Sequence, residues 1–349
     1  MSLVLTLAIR GVTLLGVLLV VLVMLVAALG ATGFSDKMLS AIVNEDLRGI
    51  REGLASTIRD PDALEETLVA RRQEQERFYG LDRPWYTRLP PMVWRVMTLD
   101  LGEARTLRSF EGSPKVVDLV LERLPYTMLL LTTASVITAV VGLAVGVKLA
   151  TRVGSVLDRG VSYLSAVSYA MPAWWAGILL ILLLAFELRV FPAGGLYSSP
   201  PPEAGLERSL DLLWHALLPV LTLVLVSLGA WIYTVRTMVL NTAQEFFVTV
   251  ARAKGLPESR VMRRYILRVA APPIVTNLVL GLAGSLGGAI LTETVFNWPG
   301  MGRLYYDAII AADETVIVAL TFMFTLLYVA ARFVLEVLYV FLDPRIRYT

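Results

Sequence analysis

Apolar positions in this chain run in long blocks rather than in alternation. Six stretches stand out: residues 11–35, 124–147, 161–186, 212–235, 269–292 and 315–342. The first five contain no Asp, Glu, Lys or Arg, and the last contains only Arg332 and Glu336. Each approaches or exceeds the roughly 20 apolar residues that a spanning helix needs. The pattern therefore predicts an all-α membrane protein with six transmembrane helices. Arg332 and Glu336 lie four apart on one helical face, where they can pair. That fits either a position near the membrane surface or a contact with a neighbouring subunit. The first stretch has 25 uncharged residues, more than the ~7–15 of a signal-peptide core. Residues 1–35 are expected to be an uncleaved anchor helix.

Residues 36–115 break the pattern. Ile42, Leu47, Ile50, Leu54 and Ile58 recur at helical spacing. Asp60-Pro61 then marks the start of a second helix, with Asp62, Glu65 and Glu66 in its first turn. The charged run at 71–77 fits a solvated helix face. This is a small helical segment following the first span, too short to suggest an enzyme domain. Residues 116–349 would hold the remaining five helices.

Composition agrees with a lipid setting. Of 349 residues, 56% are hydrophobic and 17% charged, against roughly 25% charged in a soluble domain. The mean hydropathy is +0.69. Net charge is +2, which argues against a nucleic-acid partner. There is no cysteine and one histidine, His215, so thiolate chemistry and histidine-rich metal sites are excluded. The short loops give the orientation. Residues 1–10, 148–160, 236–268 and 343–349 hold 13 basic and 4 acidic side chains; 187–211 and 293–314 hold 3 and 8. The positive-inside rule then places both termini in the cytoplasm and segment 36–115 outside.

One cytoplasmic loop, 241–268, is too long to be a simple linker. Residues 245–254 read as a short helix with Phe246, Phe247, Val250 and Ala251 on one side. Gly255 ends it, and Pro257 with Glu258 opens another. Val261, Met262, Tyr265, Ile266 and Val269 form an apolar stripe beside Arg260, Arg263, Arg264 and Arg268. A basic amphipathic helix can rest on anionic lipid. The small residues Ala251, Ala253 and Gly255 suit a groove on another protein equally well.

Other residues carry weaker signals. His215 has no acidic partner within its predicted helix, so a hydrogen-bonded interface residue is the expectation rather than a proton relay. Pro125, Pro172, Pro219, Pro272 and Pro273 mark kinks or flexing points. Gly142 with Gly146, and Gly284 with Gly288, form small-xxx-small pairs for close helix packing. The glycine-dense fifth span, Trp174, Trp175, Asn297 and Trp298 are the candidates for lining or gating a pathway.

Together these residues resemble a known family. The run Ala251-Arg-Ala-Lys-Gly255-Leu-Pro-Glu-Ser-Arg-Val resembles the "EAA" loop of permease subunits in ABC importers of the dipeptide, oligopeptide and nickel branch. Further matches follow in order: Gly80-Leu-Asp-Arg-Pro84, Leu99-Asp-Leu-Gly102, Arg123-Leu-Pro125, Pro172-Ala-Trp-Trp-Ala-Gly177, Phe191-Pro192, His215-Ala-Leu-Leu-Pro219, Glu293-Thr-Val-Phe-Asn-Trp-Pro-Gly-Met-Gly-Arg-Leu304 and Asp343-Pro-Arg345. The motif departs at its start, Thr249-Val250-Ala251, and at its end, Tyr265-Ile-Leu-Arg268. The resemblance implies a type I ABC importer permease fold in the inner membrane. It implies a second permease forming a heterodimer, two cytoplasmic ATPase subunits and an extracytoplasmic substrate-binding protein. ATP and Mg would be bound by the ATPases, with no cofactor on this chain. Ala251, Arg252, Lys254, Gly255, Leu256 and Glu258 would be the ATPase-coupling contacts. Peptides or similar small solutes would be the cargo.

The residues also weigh against the rivals. A secondary transporter or channel working without an ATPase would bury ionisable groups mid-span or carry a filter sequence. Neither is present in the first five stretches. No Gly-x-x-x-x-Gly-Lys-Ser/Thr loop exists, so ATP hydrolysis is not expected here.

Overall fold

The computed structural model describes residues 3–55, 58, 60–285 and 289–342. Fourteen helices are seen among them: α1 (Leu3–Ala31), α2 (Phe34–Ala55), α3 (Pro61–Phe78), α4 (Leu89–Met97), α5 (Val116–Ala150), α6 (Val156–Ala170), α7 (Ala173–Leu180), α8 (Leu206–Ala243), α9 (Phe246–Ala253), α10 (Glu258–Val261), α11 (Leu267–Ser285), α12 (Ile290–Val295), α13 (Met301–Ile310) and α14 (Glu314–Leu342). Two π-helical segments, Ile181–Glu187 and Met262–Ile266, extend α7 and join α10 to α11. The only strand-like feature among the described residues is an isolated bridge between Glu103 and Lys115.

Four helical segments are long and apolar enough to cross a membrane: Leu7–Ala31, Val116–Ala150, Leu206–Ala243 and Glu314–Val337. The expected third span is not one straight helix. It consists of α6 and the segment Ala173–Glu187, bent by 100°. The cause is local. Pro172 has no N–H to donate and pushes Met171 into extended backbone, φ −89° and ψ 119°. The expected fifth span, 269–292, covers α11 and α12, neither of which is among these spans, and 286–288 lie outside the described residues, so four spans, or five with the bent pair, are seen where six were expected.

The chain packs as two units. One comprises residues 1–12, 119–307 and 326–349. Its core joins Leu130, Leu131 and Ala134 of α5, Leu218, Val220 and Val224 of α8, and Phe296 and Trp298 beyond α12. Small residues set the helix spacing. A Cβ on Gly146 of α5 would lie 2.8 Å from Val235 Cβ on α8, and one on Gly229 of α8 would lie 2.6 Å from Ser165 Cα on α6. The pair Gly142/Gly146 thus does pack closely, against α8. Gly284 falls within α11, and Gly288 lies outside the described residues, as does 343–345.

The other unit comprises residues 13–118 and 308–325. The expected helix start at Asp60-Pro61 is realised: Asp60 caps α3, its side chain accepting from the Asp62 N–H at 3.1 Å. The charged run on α3 is exposed and self-paired, Arg71 with Glu74 at 2.7 Å and Arg72 with Glu76 at 3.0 Å. Two buried acids at the start of α14 hold this unit together. Asp313 Oδ2 accepts from the backbone N–H groups of Arg105 and Thr106 at 2.7 and 2.9 Å, and Glu314 Oε2 accepts from Ser35 Oγ at 2.8 Å.

Candidate functional site

The loop at 241–268 is a folded element. α8 continues to Ala243, and α9 starts three residues later. Lys254 caps α9, and Gly255 follows at φ +73°, a left-handed conformation that glycine adopts without cost. Pro257 caps α10 in extended backbone, one position earlier than its expected place in the first helical turn. Glu258 occupies that turn.

The buried face of α9 differs from the one the apolar spacing suggested. Val248 and Ala251 are buried, whereas Phe246 is 81% and Phe247 38% exposed. Val248, Ala251, Val261, Ile266 and Ala270 form one core with Val235 and Val239 of α8. Ala251 is therefore removed from the set of surface contacts; its methyl group sits inside this core. Leu256 packs partly against the same core. Arg252, Lys254, Gly255 and Glu258 remain exposed. The stripe expected after Pro257 is also rotated. Val261 and Ile266 are buried but Val269 is half exposed. The π-helical turn at Met262–Ile266 holds an extra residue per turn, which shifts register.

Arg252 and Glu258 join the two helices across the turn. Nη2 to Oε1 is 2.7 Å and Nε to Oε2 is 3.1 Å, a bidentate pair. The pairing holds Glu258 below the usual carboxylate range and raises Arg252.

The block at 293–304 is a packed turn. Glu293 is fully buried. Its Oε1 accepts from Thr127 Oγ1 at 2.8 Å, its Oε2 from the Arg303 N–H at 2.9 Å, and its backbone carbonyl from the Trp298 N–H at 2.8 Å. Thr127 Oγ1 in turn accepts from the Met301 N–H at 2.7 Å. A Cβ on Gly300 would sit 2.5 Å from Glu293 Oε2, so only glycine fits there. Trp298 is fully buried and donates to the Tyr126 carbonyl at 3.1 Å. It is an anchor of the core rather than a pathway-facing residue. Asn297 is exposed, with φ +51°, and its side chain accepts from Arg303. Trp174 and Trp175 are partly exposed on the first turn of α7, directly after the bend.

The pattern missed two contacts of acidic side chains. Asp158 on α6 pairs with Arg236 on α8. His215 does have an acidic neighbour in its helix: Asp211 Oδ1 lies 3.3 Å from Nδ1. The helix begins at Leu206, six residues before the apolar stretch, which places Asp211 one turn earlier. Among the described residues no group of three or more His, Asp or Glu could hold a metal ion.

Long apolar helices and a folded loop between α8 and α11 define an all-helical membrane protein. A family model described as "Binding-protein-dependent transport system inner membrane component" matches residues 124–348. The chain belongs to this family. It is 30% identical to the oligopeptide transport system permease protein AppB of Bacillus subtilis, over 83% of this chain and 90% of that protein. It is 34% identical to the di/tripeptide transport system permease protein DppB of Pseudomonas aeruginosa, over 77% and 83%. In fold it is similar to a chain of the inward-facing MetNI methionine ABC transporter, with a TM-score of 0.50 and 19% identity, covering 64% of this chain and 96% of that one.

Proposed function

We propose that this chain is one permease subunit of an ATP-driven importer of peptides or similar small solutes. A second permease would complete the pathway as a heterodimer. An extracytoplasmic binding protein would deliver the solute, and two cytoplasmic ATPase subunits, carrying ATP and Mg, would drive it. The names of the curated relatives support the cargo. Segment 36–115 would face outward, where it can meet the binding protein or brace the partner permease. Both termini would be cytoplasmic.

The observation that carries this reading is the loop at 241–268. Its outer ridge, Arg252, Lys254, Gly255 and Glu258 with Phe246 and Phe247, is exposed. Its inner face is close-packed on the end of α8. A close-packed core transmits displacement instead of absorbing it. An ATPase moving that ridge would therefore move α8 and α11 with it.

The test is purification of the chain from its native membrane in mild detergent, with mass spectrometry of what accompanies it. A second permease and an ATPase are expected, and Gly255→Asp should lose the ATPase. Recovery of the chain as a conducting homo-oligomer, or undiminished ATPase recovery with Gly255→Asp, would overturn the reading.

A further inference from the structure

We infer that a cavity of about 570 Å³ between α5, α8 and α11 is this chain's share of the solute path, and that it recognises the uncharged, hydrogen-bonding backbone of an extended amide chain. The inference rests on the permease reading and adds a site and a ligand chemistry to it. The volume lies within the ~300–1,000 Å³ of small-molecule pockets.

The lining is mostly apolar, and the polar groups it carries are uncharged. Ser135 and Thr138 come from α5, Ser227 and Thr234 from α8, and Asn277 and Gly281 from α11. No Asp, Glu, Lys or Arg lines it. Such a surface gives no counter-charge for an ion, but offers hydroxyl and amide groups to a backbone N–H or carbonyl. Ser135, Thr138, Ser227, Asn277 and Gly281 lie well inside the apolar stretches, with Thr234 at the end of its own, and polar groups at such depth need partners.

Thr138 provides the independent observation. It is 7% exposed, lines the cavity, and its hydroxyl has no hydrogen-bond partner among the described residues. Other threonines in these helices return their hydroxyl to the carbonyl four residues back: Thr222 to Leu218, Thr234 to Ala230 and Thr276 to Pro272. A buried hydroxyl left without this bond is rare and calls for a partner. On α11, a Cβ at Gly281 would meet nothing within 4 Å among the described residues, which leaves room on that side of the cavity.

The absence of cysteine makes the test direct. Ser227→Cys, and a control Val140→Cys on the face of α5 turned away from the cavity, are introduced singly into the importer complex purified through this chain. The probe is a charged, water-soluble methanethiosulfonate. A thiol facing water should react at least about tenfold faster than one facing lipid, since one pKa unit is tenfold in thiolate. In the same complex, reconstituted with its binding protein, Thr138→Val should raise the KM for trialanine uptake about two- to tenfold, the worth of one hydrogen bond. Thr138→Ser should behave as wild type. Equal labelling of the two cysteines in both nucleotide-free and vanadate-trapped complexes would overturn the inference. So would wild-type uptake by Thr138→Val. If the unmutated complex transports no peptide at all, the permease reading fails for that cargo, and the labelling still decides whether the cavity is aqueous.

Discussion

Arg236 on α8 grips Asp158 on α6 through two parallel hydrogen bonds, Nε to Oδ1 at 2.5 Å and Nη2 to Oδ2 at 2.8 Å. Asp158 also accepts from the Gly154 N–H at 2.9 Å, so both of its oxygens are used. Its side chain is 4% exposed and that of Arg236 17%. The pair fixes the start of α6 to the helix that leads into the 241–268 loop. Removing one partner leaves a charge without compensation, which costs about 3–5 kcal/mol. Asp158→Ala should therefore lower the thermal midpoint of the detergent-solubilised protein sharply. Replacing both residues by apolar ones of similar size should recover much of it. A midpoint unmoved by Asp158→Ala would show the pair to be dispensable.

The Thr127 hydroxyl serves two partners at once, donating to Glu293 and accepting from Met301. Thr127→Val keeps the shape and removes both bonds. The buried carboxyl group then loses a donor, at a cost of about 1–3 kcal/mol. Thr127→Ser should retain the wild-type midpoint. Equal midpoints for Val and Ser would show that the network adds nothing to stability.

Gly300 tests the same turn by bulk. Its Cα faces Thr127 and Glu293 with no room for a methyl group. Gly300→Ala should destabilise by about 1–3 kcal/mol through overpacking. Thermal unfolding of the purified chain measures it, and a wild-type value would mean that the turn relaxes freely.

Gly255 separates backbone from side-chain effects. A Cβ there meets nothing within 4 Å, so its requirement is the positive φ alone. Non-glycine residues pay roughly 1–2 kcal/mol for left-handed backbone, and asparagine pays least. Gly255→Asn should retain ATPase recovery better than Gly255→Val. The reverse order would show that side-chain bulk, not φ, governs the position.

The Arg252–Glu258 pair carries a pH prediction. Pairing depresses Glu258, so its contribution is present above the usual carboxylate value and is lost as pH falls through the depressed one. Between about pH 6 and 8 the pair stays ionised. Both side chains are about half exposed, so salt should weaken it where pH does not. Coupling of ATP hydrolysis to uptake, followed against pH and against ionic strength, checks this. A titration near neutrality that vanishes in Glu258→Gln would contradict it.

How much of this was legible beforehand follows from what sequence spacing encodes. Charge-free blocks mark spans because lipid excludes unpaired charge and unsatisfied backbone. Asp60-Pro61 and Gly255 could be read because capping and left-handed backbone are decided within a few residues. The buried face of α9 could not. Two faces of that helix are apolar, and only the position of α8 determines that Val248 and Ala251 go inside while Phe246 stays out. Trp298 likewise looked like a gate until Tyr126 and Phe296 enclosed it.

The sequence by itself determined the solvent, the membership of a permease family and the existence of a folded loop, because these depend on composition and short-range order. Tertiary structure alone decided that Asp158 meets Arg236, that Thr127 meets Glu293, and that Thr138 faces a cavity with its hydroxyl unpaired among the described residues. These partners are dozens to more than a hundred residues apart, and no local rule says which helices become neighbours. The glycines that permit the approach, Gly146 and Gly229, are visible in the chain, but what they approach is fixed only when the helices pack.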